Sequence, residues 1–157
     1  MAFQELEEFL SAHIGGLISN DLHLGNIITA GMSFRNKVAL LSSLYLYRAK
    51  FAKPPDILEM LLSRLNAAEQ RRNTILHSYW AKSLACGALT RYKYTAKAKH
   101  GFAQQTEEFV PDQIEAIAAE IEQVATDFSK HMVDVFPDHS DLLENLRTLR
   151  LFSVIPP

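Results

Sequence analysis

One cysteine, Cys86, stands in a chain of 157 residues. A lone thiol closes no internal disulfide, and this usage fits a reducing compartment. Cys86 follows the central helix without any feature that would make its thiolate reactive, and it is assigned to packing. No apolar run is long enough to cross a bilayer. No N-terminal stretch joins a basic start to an apolar core and a small-residue cleavage site. The expected setting is cytoplasmic and away from membranes. There is no glycine-rich phosphate loop between a strand and a helix, and no strand-borne nucleophile. His, Cys, Asp and Glu do not cluster at ligand spacing, and His23, His100, His131 and His139 are scattered. Neither a metal site nor a cofactor is expected. Repeats and low-complexity segments are absent as well.

Net charge is nearly absent too, at −2, but its distribution is uneven. Residues 64–100 carry +7, residues 101–157 carry −8, and residues 1–63 carry −1. The basic stretch holds Arg71, Arg72, Lys82, Arg91, Lys93, Lys97 and Lys99 beside Arg64, with Glu69 as its one acid. Such polarity either offers phosphates a basic surface or lets the two parts of the chain pair with each other. Both alternatives stand on sequence alone. A 48% apolar and 22% charged composition is that of a globular protein. The length suits one domain, 1–157, able to bury its own core.

The elements follow from periodicity. Residues 2–19 carry Phe3, Leu6, Phe9, Leu10, His13 and Leu17 on one side, with His13 as a core-edge residue. Glu5, Glu7 and Glu8 suit the positive end of that helix. Gly15-Gly16 is expected to weaken or bend it. A short helical piece covers 22–30. Ser33 caps a helix to about Phe51 that is apolar on two lines, so it is largely buried or shared with a second subunit. Pro54-Pro55 ends it and Asp56 opens a central helix expected to reach Ala81, close to 40 Å at about 1.5 Å per residue. From Leu89 the pattern alternates, which predicts a small β-hairpin over about 88–109 inserted between helices. It is either a basic arm along a nucleic-acid backbone or a solvated ribbon. Pro111 starts a helix with a clean stripe from Ile114 to Val135, and a last short helix covers 140–150. The fold class is mainly α: an up-and-down helical bundle carrying this hairpin.

The central helix holds the densest polar chemistry. Leu58, Leu61, Leu65, Ala68, Arg72, Ile75 and Tyr79 follow each other by threes and fours, the spacing of a packing seam. Arg72 stands where an apolar residue would be cheaper, and an unpaired guanidinium there costs several kcal/mol by order of magnitude. Asn73 and His77 lie four apart, on one side of a helix. Arg72 and His77 are about 140° apart around the axis, within reach of a long side chain. The bland alternative is a structural arginine paired with an acid such as Glu69, beside a histidine filling a polar hole. Tyr79 and Trp80 are read as packing anchors more than as base-stacking platforms.

Arg72-Asn73-Thr74-Ile75-Leu76-His77 resembles the motif of the HEPN superfamily: an arginine, a polar residue after it, and a histidine a few positions on. The resemblance implies an all-helical domain and, in many members, a metal-independent endoribonuclease working as a homodimer with both motifs facing one cleft. It also implies, for some members, nucleotide binding without cleavage, or a toxin held by an antitoxin partner. On this expectation His77 is the acid or base, Arg72 stabilises the scissile phosphate and Asn73 orients either. Arg71, Lys82, Arg91, Lys93, Lys97 and Lys99 would hold the nucleic acid. The alternative is a non-catalytic RNA- or nucleotide-binding, or protein-interaction, helical module with the same residues in a polar network.

Overall fold

The computed structural model describes residues 2–19, 21–51, 55–83, 87–97 and 101–137, with the side chains at 2, 22 and 95–97 excepted. Five helices and three strands are found there: α1 (Ala2–Ser19), α2 (Leu22–Thr29), α3 (Phe34–Ala49), α4 (Asp56–Leu76), β1 (Tyr79–Lys82), β2 (Leu89–Lys97), β3 (Gly101–Phe109) and α5 (Pro111–Val135). The architecture is mainly α with a small inserted antiparallel sheet. The expected helix at 140–150, Cys86 and Lys99 lie outside the described residues. Among the described residues no helix is long and apolar enough to cross a membrane.

Helical stripes build the core. Leu6, Leu10 and Ile14 of α1 meet Phe34, Leu41 and Tyr45 of α3, Leu58, Leu61 and Leu65 of α4, and Val124, Phe128 and Met132 of α5. Of the two apolar lines on α3, one is buried, whereas Tyr47 and Phe51 on the other are exposed. Caps set the helix ends. Asp21 accepts from the backbone N–H groups of His23 and Leu24, and Ser33 accepts from that of Asn36. Val110 N–H donates to Gln113 Oε1 at 2.9 Å, one residue ahead of Pro111.

Gly15 does not bend α1, which runs unbroken. Its role lies between helices. A Cβ added at Gly15 would sit 2.3 Å from the Asp21 carbonyl oxygen and 2.9 Å from Gly25 Cα. One added at Gly25 would sit 2.2 Å from the Ser11 carbonyl oxygen. The backbones of α1 and α2 therefore touch at two glycines, and no side chain fits between them. Thr29 Oγ1 extends the contact, 2.7 Å from Ser11 Oγ and 2.8 Å from the Gly25 carbonyl.

α3 ends on Lys50 in the left-handed region, at φ 57° and ψ 33°. The N–H groups of Lys50 and Phe51 both reach the Leu46 carbonyl, a helix stop that favours glycine. Lys50→Gly is expected to raise stability by about 0.5–1 kcal/mol, because a side chain with a Cβ is disfavoured there. A urea-unfolding midpoint unchanged or lowered by this exposed substitution would count against the assigned cap.

The central helix stops earlier than its periodicity suggests. α4 closes at Leu76, so it spans about 32 Å at ~1.5 Å per residue over its 21 residues. His77 is its C-cap, at φ −101° and ψ 24°. Two side chains beyond the stop satisfy carbonyls of the last turn: Ser78 Oγ donates to Thr74 O at 2.5 Å, and Trp80 Nε1 donates to Ile75 O at 2.9 Å. Tyr79–Lys82 then pairs antiparallel with β2, Tyr79 opposite Tyr92 and Lys82 opposite Leu89. Cross-strand pairing outweighs the helical pattern here, as suits two adjacent aromatic residues. The hairpin is thus the larger part of a sheet with order β1-β2-β3.

Candidate functional site

Arg72, on the last turn but one of α4, is half-buried. Its guanidinium carbon lies 4.9 Å from the centre of the Phe3 ring of α1, and Nη1 donates to Asn73 Oδ1 at 3.0 Å. Among the described residues no carboxylate forms an ion pair with it. A cation over an aromatic face recovers part of its lost hydration, about 0.5–2 kcal/mol. The guanidinium borders a cleft of about 440 Å³ between the start of α1, the end of α4 and the start of α5. Phe3, Ile75, Leu76, Ile114, Ile117 and Ile121 give its apolar lining, with Gln4 and Glu7 as its other polar residues. Glu7 is engaged elsewhere, 3.4 Å from Lys37 Nζ.

The motif is therefore divided. Arg72 and Asn73 touch, and the head of Arg72 turns over Phe3. His77 sits beyond the last helical turn and is exposed, and its backbone N–H reaches the Asn73 carbonyl at 3.1 Å. Among the described residues no hydrogen bond joins its ring to Arg72 or Asn73. Glu69 is not the partner of Arg72 that a structural ion pair would need.

The basic positions also divide. Arg71 forms an ion pair with Glu120 of α5. Arg91 is buried, its Nη2 donating to Glu107 Oε2 at 2.7 Å, its Nη1 to Ser78 Oγ at 3.2 Å, and its guanidinium carbon 5.9 Å from the Phe109 ring centre. Arg64 Nη1 donates to Asp127 Oδ2 at 2.7 Å, and this bond, then one from Gln123, holds the Asp127 carboxyl below its ordinary range. Three arginines of the basic stretch thus pair with acids of the acidic stretch. Of the positions expected to face nucleic acid, Arg91 is held in a buried pair and Arg71 in an exposed one. Lys82 and Lys93 are exposed on the sheet; for Lys97 only the backbone place on β2 is described.

No family model, no curated protein and no solved structure matches the chain. The site's chemistry has to be read from its own residues.

Two features carry no sequence motif. On the solvent side of the sheet Tyr79, Tyr94 and Phe102 form a row of exposed rings, with Tyr94 centred 5.6 Å from Tyr79 and 5.8 Å from Phe102. Strand alternation is the signal for it, but only the register places the three rings together. Inside the bundle, Tyr45 Oη lies 3.0 Å from His131 Nε2 and the two rings stack. In the tautomer that carries its proton on Nδ1, the imidazole accepts a hydrogen bond from the Tyr45 hydroxyl at that nitrogen. Burial pushes His131 below its ordinary value, against the upward pull of Asp134, and burial pushes Tyr45 up.

His131 makes stability depend on pH in a definite direction. Its folded pKa lies below the unfolded value near 6.5, so the unfolded chain takes up the proton first. The stabilising share of the neutral ring is complete above that value and is lost as pH falls below it. The urea midpoint should therefore drop between about pH 7 and pH 5.5, with a shallower drop in His131→Gln. Identical slopes in the two proteins would refute the assignment.

Proposed function

We propose that the protein binds RNA and cleaves it by a metal-independent route, with Arg72, Asn73 and His77 as the working residues. The observation that supports this most is a half-buried guanidinium at an open cleft that no described carboxylate neutralises. A cation kept unpaired at such cost suits an incoming anion, and a planar fork suits phosphate oxygens. One turn on, an exposed imidazole can accept or donate a proton.

The ribose 2′-oxygen attacks the adjacent phosphorus and gives up its proton to a base. The P–O5′ bond breaks, and the departing 5′-oxygen takes a proton from an acid. The products are a 2′,3′-cyclic phosphate and a free 5′-hydroxyl. His77 serves as one of the two proton carriers, and Arg72 lies against the charge that builds on the phosphoryl oxygens. One chain supplies one such histidine, so a second copy across a two-fold axis would supply the other. A partner covering the cleft would silence the activity, as in a toxin with its antitoxin.

A second reading has support of its own. The His77 ring is not bonded to Arg72 or Asn73, and the cleft beside Arg72 is mostly apolar. These favour a module that binds RNA or a nucleotide without turnover. Labelled RNA incubated with the protein in excess chelator separates the two. Products ending in a cyclic phosphate support the nuclease, whereas retained nucleotide with no cleavage of any RNA supports the binding module.

A further inference from the structure

We infer that the cleft beside Arg72 binds a straight-chain alkyl carboxylate, with the carboxylate on the guanidinium and the chain along the isoleucines of α5. This goes beyond the function proposed above and needs no RNA; the two share only Arg72 as the seat of an anion.

The lining comes from two stripes that run out of the bundle at one end. On α4, Leu61, Leu65 and Ala68 are buried, Ile75 is half-buried and Leu76 is 59% exposed. On α5, Val124 and Ile121 are buried, whereas Ile117 and Ile114 are half-buried. Between these ends and the start of α1 lies the cleft of about 440 Å³, inside the range of ~300–1,000 Å³ usual for small-molecule sites. Its wall is aliphatic on both helices. The one ring, that of Phe3, is already taken up: the guanidinium lies over it, and the Phe34 ring packs against it at 4.9 Å. An alkyl chain removes such surface from water without asking for hydrogen bonds that the wall lacks.

Charge selects the head group. Among the described residues three polar side chains border the cleft, and two of them have partners. Glu7 faces Lys37 Nζ at 3.4 Å, and Gln4 Nε2 donates to Glu8 Oε1 at 3.3 Å. The Glu7–Lys37 pair adds no net charge. Arg72 adds one positive charge, which no carboxylate meets among the described residues. A guanidinium has five N–H donors, and among the described residues one is used, toward Asn73. The others can meet a carboxylate with two parallel bonds. One positive charge matches a monoanion, and the apolar wall behind it matches a chain that a bare inorganic anion does not have.

The test is calorimetric titration of the whole chain with sodium hexanoate, octanoate and decanoate, each below its micelle concentration. Affinity should rise by about two- to fourfold per added methylene, the gain for moving one from water onto an apolar wall. Octanamide, of the same length but neutral, should bind about ten- to hundredfold more weakly than octanoate. Arg72→Gln should weaken octanoate by a similar factor and leave octanamide as in the wild type. Ile117→Ser should flatten the rise with chain length. Circular dichroism shows which variants are folded, and the comparison of octanoate with octanamide needs no variant. Equal affinity for those two overturns the proposal, as does affinity that stays level from hexanoate to decanoate, or a wild type that binds none of the three. Inorganic phosphate that displaces octanoate as well as octanoate displaces itself assigns Arg72 to anions at large and also overturns it. The titration contains no RNA, so its result is read apart from the cleavage assay: binding without cleavage leaves the alkyl site, and cleavage without binding leaves the nuclease.

Discussion

In His77→Ala, RNA cleavage in excess chelator should fall by about 10²–10⁴-fold, the usual contribution of a positioned proton carrier. His77 is exposed and caps a finished helix, so its removal should leave helicity and oligomeric state as they are. Arg72→Ala should cost about 10²–10³-fold, the range for losing one preorganised group on a developing oxyanion. It also removes the cation from the Phe3 ring, at about 0.5–2 kcal/mol of stability. That loss is small enough for the folded variant to be assayed. Arg72→Lys separates charge from shape: an ammonium keeps the sign but loses the fork, so it should restore little of the rate. Circular dichroism and sedimentation of each variant complete the measurement. Full activity in His77→Ala would identify the activity as a contaminant's and remove the nuclease.

Gly15→Ala should destabilise the fold by about 2 kcal/mol or more, although alanine is the better helix former by about 1 kcal/mol. The opposing effect wins because the new methyl meets backbone, not a movable side chain. Its position lies 2.3 Å from the Asp21 oxygen and 2.9 Å from atoms of Gly25. The helices must separate, and separation also opens the contact between Thr29 and Ser11. Gly25→Ala should behave alike, since its Cβ falls 2.2 Å from the Ser11 oxygen. For a chain of this size the midpoint of thermal unfolding should drop by roughly 4–8 °C in each. The double variant should lose less than the sum, because one separation makes room for both methyls. Gly31→Ala is the control: nothing lies within 4 Å of its Cβ position, so it should be neutral or mildly stabilising. A gain in melting temperature for Gly15→Ala would disprove the close crossing.

The same glycine shows where sequence is legible and where it is not. Stripes such as Leu58, Leu61, Leu65 and Ala68, or Val124, Phe128 and Met132, declare their burial through spacing alone, and all of them are buried. Ser33 and Pro111 declare helix starts through local chemistry. Gly15 reads locally as a weak point, because its partner is another helix. The end of α4 has the same origin: Leu76 to Ala81 keeps a helical pattern, but the stop depends on Trp80 reaching Ile75 and on pairing with β2. Counting charges exposed the +7 and −8 stretches, yet which arginine meets which acid depends on how α4, β2, β3 and α5 are placed. At the candidate site, Arg72 and Asn73 were legible as neighbours. The direction of the guanidinium was not, since Phe3 lies on α1 near the start of the sequence. Tyr94 and Phe102 have no spacing in common with Tyr79 until the strand register is known.

α1 is packed against α5, where His13 Nε2 lies 3.5 Å from Ser129 Oγ across 116 residues of chain. On a ribosome these two positions are made about 6–23 s apart, at ~5–20 residues per second. Throughout that delay Leu10 and Ile14 lack the wall that later shields them. Until α5 emerges that apolar face stays in water, so a fragment truncated before α5 is expected to aggregate more readily than the whole chain.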